Sequence, residues 1–250
     1  MSLPIALQLF TIREAMKNDF EAALKQVAEI GYEHVELAGL GDYSPEQAKT
    51  LFEGLGLKPM AAHENLKRCT EELDATLAQA KTLGYDLVIC PVLGEAQRTA
   101  EGFREAARLL SESAAKAKGE GITIAYHNHA YEFDKLADES TGMAILTKEG
   151  QGIEFELDLF WVAKAGQDPF KWMRKLAGRL PTVHVKDMTR APENTFAEVG
   201  TGVLDLRGMV AEAAQHGVRY LVVEQDRNWI DDDPIKSAKI SYDNLSTWPS

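Results

Sequence analysis

Histidines and carboxylates recur at the ends of short apolar runs in this chain. His63 closes Ala61-Ala62-His63, and His127 and His129 close Ile124-Ala125-Tyr126-His127-Asn128-His129. His184 follows Val183, Asp158 follows Glu156-Leu157, and Glu224 follows Val222-Val223. Imidazoles and carboxylates drawn from several segments to one point make a ligand set for a divalent cation such as Zn²⁺, Mn²⁺ or Co²⁺. In a set this mixed, geometry rather than ligand softness selects the metal. The same groups can move protons near neutral pH. Taken singly, each has a plainer explanation. A buried histidine is usually hydrogen-bonded structure, and an aspartate at a strand end can cap the helix that follows. The metal reading is a joint one: four of the six histidines stand at such ends, where chance would scatter them.

The elements that position these residues follow from a rhythm. Apolar or β-branched runs at 5–9, 34–37, 58–62, 87–91, 122–127, 153–157, 182–185 and 220–224 recur roughly every 30 residues, the length of a strand, a helix and two loops. Amphipathic segments fill the intervals. Phe20, Leu24 and Val27 lie on one face of a helix over 19–30 that Gly31 can end. Ser44-Pro45-Glu46-Gln47 has the pattern of a helix cap, a first-turn proline and a capping-box glutamine. Asp168-Pro169 and Asp233-Pro234 repeat the cap-then-proline start, so Asp231-Asp232-Asp233 reads as a solvated loop and cap. Leu73, Leu77, Ala80 and Leu83 before Gly84 form one further stripe, and Phe103 to Ala117 a longer one. Eight strands alternating with eight helices predict a closed (β/α)8 TIM barrel, α/β in class, with 1–250 as a single domain. An open doubly wound sheet is the competing architecture, but no Gly-x-Gly-x-x-Gly follows the first strand. In a barrel the active site forms at the C-terminal strand ends, where these histidines and carboxylates stand.

Composition bounds the function. The chain carries 39 acidic and 27 basic residues, a net charge of −12, which argues against a nucleic-acid partner. With 45% hydrophobic residues it can build a large core. Two cysteines, Cys69 and Cys90, offer neither a disulfide framework nor a cysteine zinc site. The opening Met-Ser-Leu-Pro-Ile lacks a signal-peptide pattern, and no run is long enough to span a membrane. The expectation is a cytoplasmic protein with no membrane partner; a homo-oligomer stays open.

At these residues the chain resembles the sugar phosphate isomerase/epimerase family, the xylose isomerase-like TIM barrels, over nearly its whole length. The matching segments are Leu7-Gln8-Leu9-Phe10-Thr11, Val35-Glu36-Leu37-Ala38-Gly39, Tyr126-His127-Asn128-His129-Ala130-Tyr131-Glu132-Phe133, Leu157-Asp158-Leu159-Phe160-Trp161-Val162, Val183-His184-Val185-Lys186-Asp187 and Val223-Glu224-Gln225-Asp226. Glu198-Val199-Gly200-Thr201-Gly202 is similar to the family's Glu-x-Gly-x-Gly loop. The resemblance implies one divalent metal ion held by His127, Asp158, His184 and Glu224. At the first of these positions the family usually has glutamate; His129, on the same side of the strand, is the alternative ligand. Two carboxylates move the proton in those epimerases. Here Glu224 remains, with His127 as the candidate second acid/base. Trp161 stands where the family often has histidine and would offer a stacking wall to a sugar. Arg190 matches a substrate-contacting arginine. Glu36, His63, His129 and Glu132 are further candidates for substrate binding, Glu132 alternatively for a supporting role behind the site. Lys186 and Asp187 read as an ion pair at the rim or as catalytic groups. The Gly200-Thr201-Gly202 turn could bind a phosphate or simply lead into the next helix.

The implied activity is metal-dependent isomerisation or epimerisation of a keto-sugar, sugar phosphate or related polyol, by proton abstraction next to a carbonyl. Elimination of water from a 3-keto sugar or keto-inositol shares the enediolate and stays open. An AP-endonuclease-like nuclease and an inert sugar-binding barrel are the remoter alternatives.

Overall fold

The computed structural model describes residues 3–249, so Met1 and Ser2 of the opening segment and Ser250 lie outside the described residues. All eight expected runs form strands: β1 (Ile5–Gln8), β2 (His34–Leu37), β3 (Lys58–His63), β4 (Leu87–Cys90), β5 (Thr123–His127), β6 (Glu154–Asp158), β7 (Thr182–Val185) and, last in the chain, β10 (Tyr220–Val223). They close into one barrel of parallel neighbours in the order β1-β10-β7-β6-β5-β4-β3-β2, which excludes the open sheet. A two-stranded antiparallel ribbon, β8 (Asp187–Met188) with β9 (Phe196–Ala197), was not expected from the sequence. Strands of two residues have no hydrophobic period to read.

The helix signals act as expected. The Asp19 side chain caps Phe20–Ile30, which ends on Gly31 in the left-handed region. Ser44 and Gln47 form a full capping box on Pro45–Leu55. Asp168 and Asp233 cap Pro169–Lys175 and Pro234–Leu245. Asp231 and Asp232 are exposed in the turn before that last helix. More short helical turns interrupt the loops than a strict eight-and-eight alternation allows, among them Leu66–Cys69 and Leu159–Lys164.

Because side chains alternate across a strand, every second residue enters the barrel, and the interior is layered. Ala6, Met60, Ala61, Leu87, Ile89, Ala125 and Val222 form an apolar plug. Two residues further along the strands the interior turns polar: Gln8, Glu36, His127, Glu156, Thr182 and His184 are all buried. Register brings them level, with Gln8 opposite Glu36, Glu156 opposite both His127 and Thr182, and His184 opposite both Asp158 and Val222. The main apolar core lies outside the strands, against the helices.

Beyond β7 the chain divides. Lys186 turns into the barrel and Asp187 turns out, so the rim ion pair between them does not form. Asp187 instead accepts four backbone N–H groups, from Met188 (2.8 Å), Gly200 (2.9 Å), Gly202 (3.0 Å) and Leu204 (3.2 Å). A Cβ at Gly202 would come within 2.3 Å of Asp187 Oδ1, so only glycine permits this approach. The amides of Gly200 and Gly202 are therefore spent on Asp187, and the turn is a structural cradle rather than a phosphate site. Glu198 fastens the same loop to its neighbours, accepting from Ser237 Oγ (2.7 Å) and the Ile230 amide (3.1 Å). Asp187→Ala strands these amides. It should lower stability by about 3 kcal/mol, measured as a fall in the urea unfolding midpoint at unchanged slope.

Candidate active site

The polar layer is organised around Glu156. Its Oε2 lies 2.7 Å from His63 Nε2, 2.9 Å from His184 Nε2 and 3.1 Å from His127 Nδ1, and its Oε1 accepts from Thr182 Oγ1 at 2.8 Å. Burial raises the pKa of a lone carboxyl, but the charge on His184 and the hydrogen bonds from the imidazoles outweigh it and hold Glu156 well below the usual range. Glu36 completes the layer. It accepts from Gln8 Nε2 at 2.7 Å and contacts His184 Nε2 at 2.8 Å, while burial and the nearby Glu156 charge push its carboxyl up.

Each of two imidazoles has one nitrogen in that layer and the other in the layer above. With Nδ1 donating to Glu156, His127 presents the lone pair of Nε2 towards Asp158 Oδ2, 3.8 Å away. Burial and the His184 charge keep His127 well below its ordinary pKa, and so neutral. His184 Nδ1 lies 2.9 Å from Glu224 Oε2 and 3.9 Å from Asp158 Oδ2. Burial opposes its protonation, but Glu156 and Glu36 prevail and raise it well above the ordinary value. His127, Asp158, His184 and Glu224 are all buried, and each offers one ligand atom within 4.8 Å of every other. His63, His127, Glu156 and His184 meet the same measure one layer deeper. His129 belongs to neither group.

Asp158 combines the plain and the chemical reading. Its Oδ1 accepts the Trp161 amide at 2.8 Å and caps Leu159–Lys164. Its Oδ2 is buried without a directional hydrogen bond and sits 2.9 Å from the Lys186 ammonium. Burial pushes this carboxyl up to about 6, against the pull of Lys186 and His184. Lys186 also lies 2.5 Å from Glu224 Oε2 and 3.3 Å from Asp226 Oδ2.

A cavity of about 340 Å³ opens onto this cluster between Phe10, His63, His127, His129, Glu224 and Asp226. A hollow of about 620 Å³ lies on the outer flank, by Ala114, Gly150 and Arg179, and contains none of these groups. The other candidates divide. His63 and His129 line the cavity, and the Trp161 ring lies 5.4 Å from that of His129. Glu36 is wholly enclosed beneath the histidines rather than on the cavity wall. Glu132 is also enclosed; it accepts from Tyr126 Oη and the His129 amide, both at 2.8 Å, and so holds the loop that carries His129. Arg190 is exposed and lines a separate hollow with Phe196, Glu198 and Gly202, away from the cluster.

Glu156 and Asp226 were not among the candidates the sequence suggested, and Lys186, read as a rim ion pair or a catalytic group, is buried within the cluster. The signal was available. Glu156, Lys186 and Asp226 each stand two positions from a candidate ligand (Asp158, His184 and Glu224), the spacing that puts side chains on one face.

The family model for xylose isomerase-like TIM barrels matches residues 24–245. The rhizopine catabolism protein MocC of Rhizobium meliloti is 22% identical, over 90% of this chain and 80% of that protein. A sugar phosphate isomerase/epimerase from Parabacteroides distasonis superposes with a TM-score of 0.85 at 21% identity, covering 99% of each chain. The IolI protein, crystallised with a zinc atom, superposes with a TM-score of 0.76 at 18% identity, over 99% of this chain and 100% of its own. At these identities the structural likeness carries the fold. Among the described residues no helix is long and apolar enough to cross a membrane.

His129 supplies a test of the site's electrostatics. Burial, and then the Lys186 charge, lower its pKa from 6.5 to about 3. A histidine neutral when folded but charged when unfolded costs stability as the pH falls from 6.5 towards 3. His129→Phe keeps a ring to stack on Tyr131 and removes that cost. The loss of stability between about pH 7 and pH 4.5, followed by urea unfolding, should be smaller in the variant than in the parent protein.

Proposed function

The chain belongs to the xylose isomerase-like TIM barrel family, and from that premise we propose that it is a metal-dependent sugar isomerase or epimerase that moves a proton next to a carbonyl. One observation carries the proposal. Two buried imidazoles, each anchored through one nitrogen on Glu156, turn their other nitrogens towards Asp158 and Glu224. A carboxylate behind each ligating histidine is the arrangement that fixes tautomer and orientation in metal centres. The zinc atom in IolI, a barrel of the same shape, supports the same reading.

His127 Nε2, Asp158 Oδ2, His184 Nδ1 and Glu224 would hold the ion, with His184 giving up its Nδ1 proton on binding. Zn²⁺, Mn²⁺ and Co²⁺ all accept such a set. When bound, a divalent ion supplies Lewis-acid polarisation of a carbonyl and the neighbouring hydroxyl, which acidifies the C–H between them. Glu224, at the cavity wall, takes that proton and returns it. His127 acts as a ligand rather than as the second acid/base, since Glu156 occupies its Nδ1 and the ion would occupy its Nε2. Phe10 and His129 give the mouth an aromatic lining suited to the apolar face of a sugar ring, with the Trp161 ring 5.4 Å from that of His129, and His63 reaches the same space. The substrate class we infer is a small carbohydrate: a keto-sugar, sugar phosphate or related polyol.

The experiment is proton exchange in D₂O with a panel of keto-sugars, followed by NMR on Mn²⁺-loaded protein. One deuterium should enter at the carbon beside the carbonyl, with no loss of water. Chelation should abolish the exchange, and Glu224→Gln should slow it by roughly 10²–10⁴-fold. Loss of water would transfer the reading to elimination. No exchange, together with no metal retained on elemental analysis, would leave a sugar-binding barrel.

A further inference from the structure

The proposed ligand set already contains a cation. Lys186 Nζ is buried among Asp158 Oδ2 (2.9 Å), Glu224 Oε2 (2.5 Å) and Asp226 Oδ2 (3.3 Å). The contacts fall on particular atoms. Asp158 has only Oδ2 to offer, because Oδ1 caps the following helix. Glu224 Oε2 is also the oxygen that faces His184 Nδ1. The ammonium therefore holds the same two oxygens that an ion between His127 and His184 would need. A divalent ion bonded to those oxygens would stand only a few ångströms from a fixed ammonium in a water-poor site, where repulsion is weakly screened. The third partner, Asp226, is the outermost, with about a quarter of its side chain exposed against essentially none for Asp158.

We propose that Lys186 is the resident cation of this site: it holds Asp158 and Glu224 in the metal-free protein, and metal entry displaces its ammonium onto Asp226. The inference rests on the metal reading above. It makes Lys186 a positioning residue that sets how tightly and how selectively an ion is held. A cation too weak to displace the ammonium would leave the site as it is.

The test is calorimetric titration of chelator-stripped protein with Mn²⁺, in the parent chain and in Lys186→Met, Asp226→Asn and the double variant. Lys186→Met should bind at least about tenfold more tightly, since no ammonium has to be moved. Without metal it should melt at a lower temperature than the parent, and Mn²⁺ should restore it. Asp226→Asn should weaken binding, because the displaced ammonium loses its second position, and this effect should shrink in the double variant. If Lys186→Met does not fold, the comparison of Asp226→Asn with the parent still decides, since equal affinities would refute displacement. Equal or weaker binding by a folded Lys186→Met would overturn the inference and leave the metal reading standing. The absence of binding in every protein would remove both. Crystals of the parent chain soaked in Mn²⁺ should show Nζ against Asp226. An ion bound while Nζ still contacts Asp158 Oδ2 would overturn displacement.

Discussion

The site depends on a carboxylate that faces no solvent. Moving an ionised carboxylate from water into a protein interior costs several kcal/mol even after relaxation, unless partners replace its hydration. Glu156 has four such partners, three imidazole nitrogens and the Thr182 hydroxyl. The exchange also fixes geometry. Because one oxygen gathers Nδ1 of His127 and Nε2 of His184, the two rings cannot rotate independently, and their remaining nitrogens converge. The tautomers follow from the same bonds: a neutral His127 must carry its proton on the Glu156 side. Removing this anchor would leave uncompensated imidazoles in the barrel, a far larger change than the loss of one hydrogen bond.

The barrel makes this arrangement affordable through its layering. The apolar plug excludes water from below, and the ring of strands supplies regular spacing between groups that are remote in sequence. His184 and Glu36 are 148 residues apart, yet their side chains meet at 2.8 Å. Strand pairing, rather than any local turn, sets this distance. By contrast the loop carrying His129 needs its own fastening, and Glu132 provides it from a fully enclosed position. The Asp187 cradle likewise closes the chain beyond β7, so that Lys186 points inwards at a fixed height.

Most of the fold was legible because a barrel repeats one unit, and each repetition re-tests the same apolar period; strand ends moved by no more than one residue. Candidate ligands were legible because histidine and aspartate at strand ends stand out in composition. The supporting layer was less legible for a physical reason. Glu156 and Lys186 look like the polar residues of any strand until parity is applied, and parity reveals their facing but not their partners. Those partners lie across the barrel, where sequence distance carries no information. Asp187 was hidden differently: its ligands are backbone amides, which have no letter in a sequence. Glu132 and Glu36 were legible as candidates, but their full enclosure was not, since burial depth depends on what covers a residue.

In the proposed metal site, the histidine at position 127 changes the electrostatics as well as the ligand list. The related epimerases resembled by this chain usually have glutamate there, which would give three carboxylates among four ligands. Here the set has two, and Lys186 offsets part of even that charge. Attraction for a cation must then come less from net negative charge and more from pre-set geometry, which is what Glu156 enforces. The same substitution separates functions that two glutamates would share. His127 is bonded to Glu156 on one side and would be committed to the proposed ion on the other, so Glu224 is left as the carboxylate that both faces the cavity and belongs to the proposed set. Under the proposed function, chemistry at such a site would be asymmetric: one face of a bound carbon would meet a base, and the other the aromatic lining and His63. That asymmetry would follow from His127 rather than from the barrel itself.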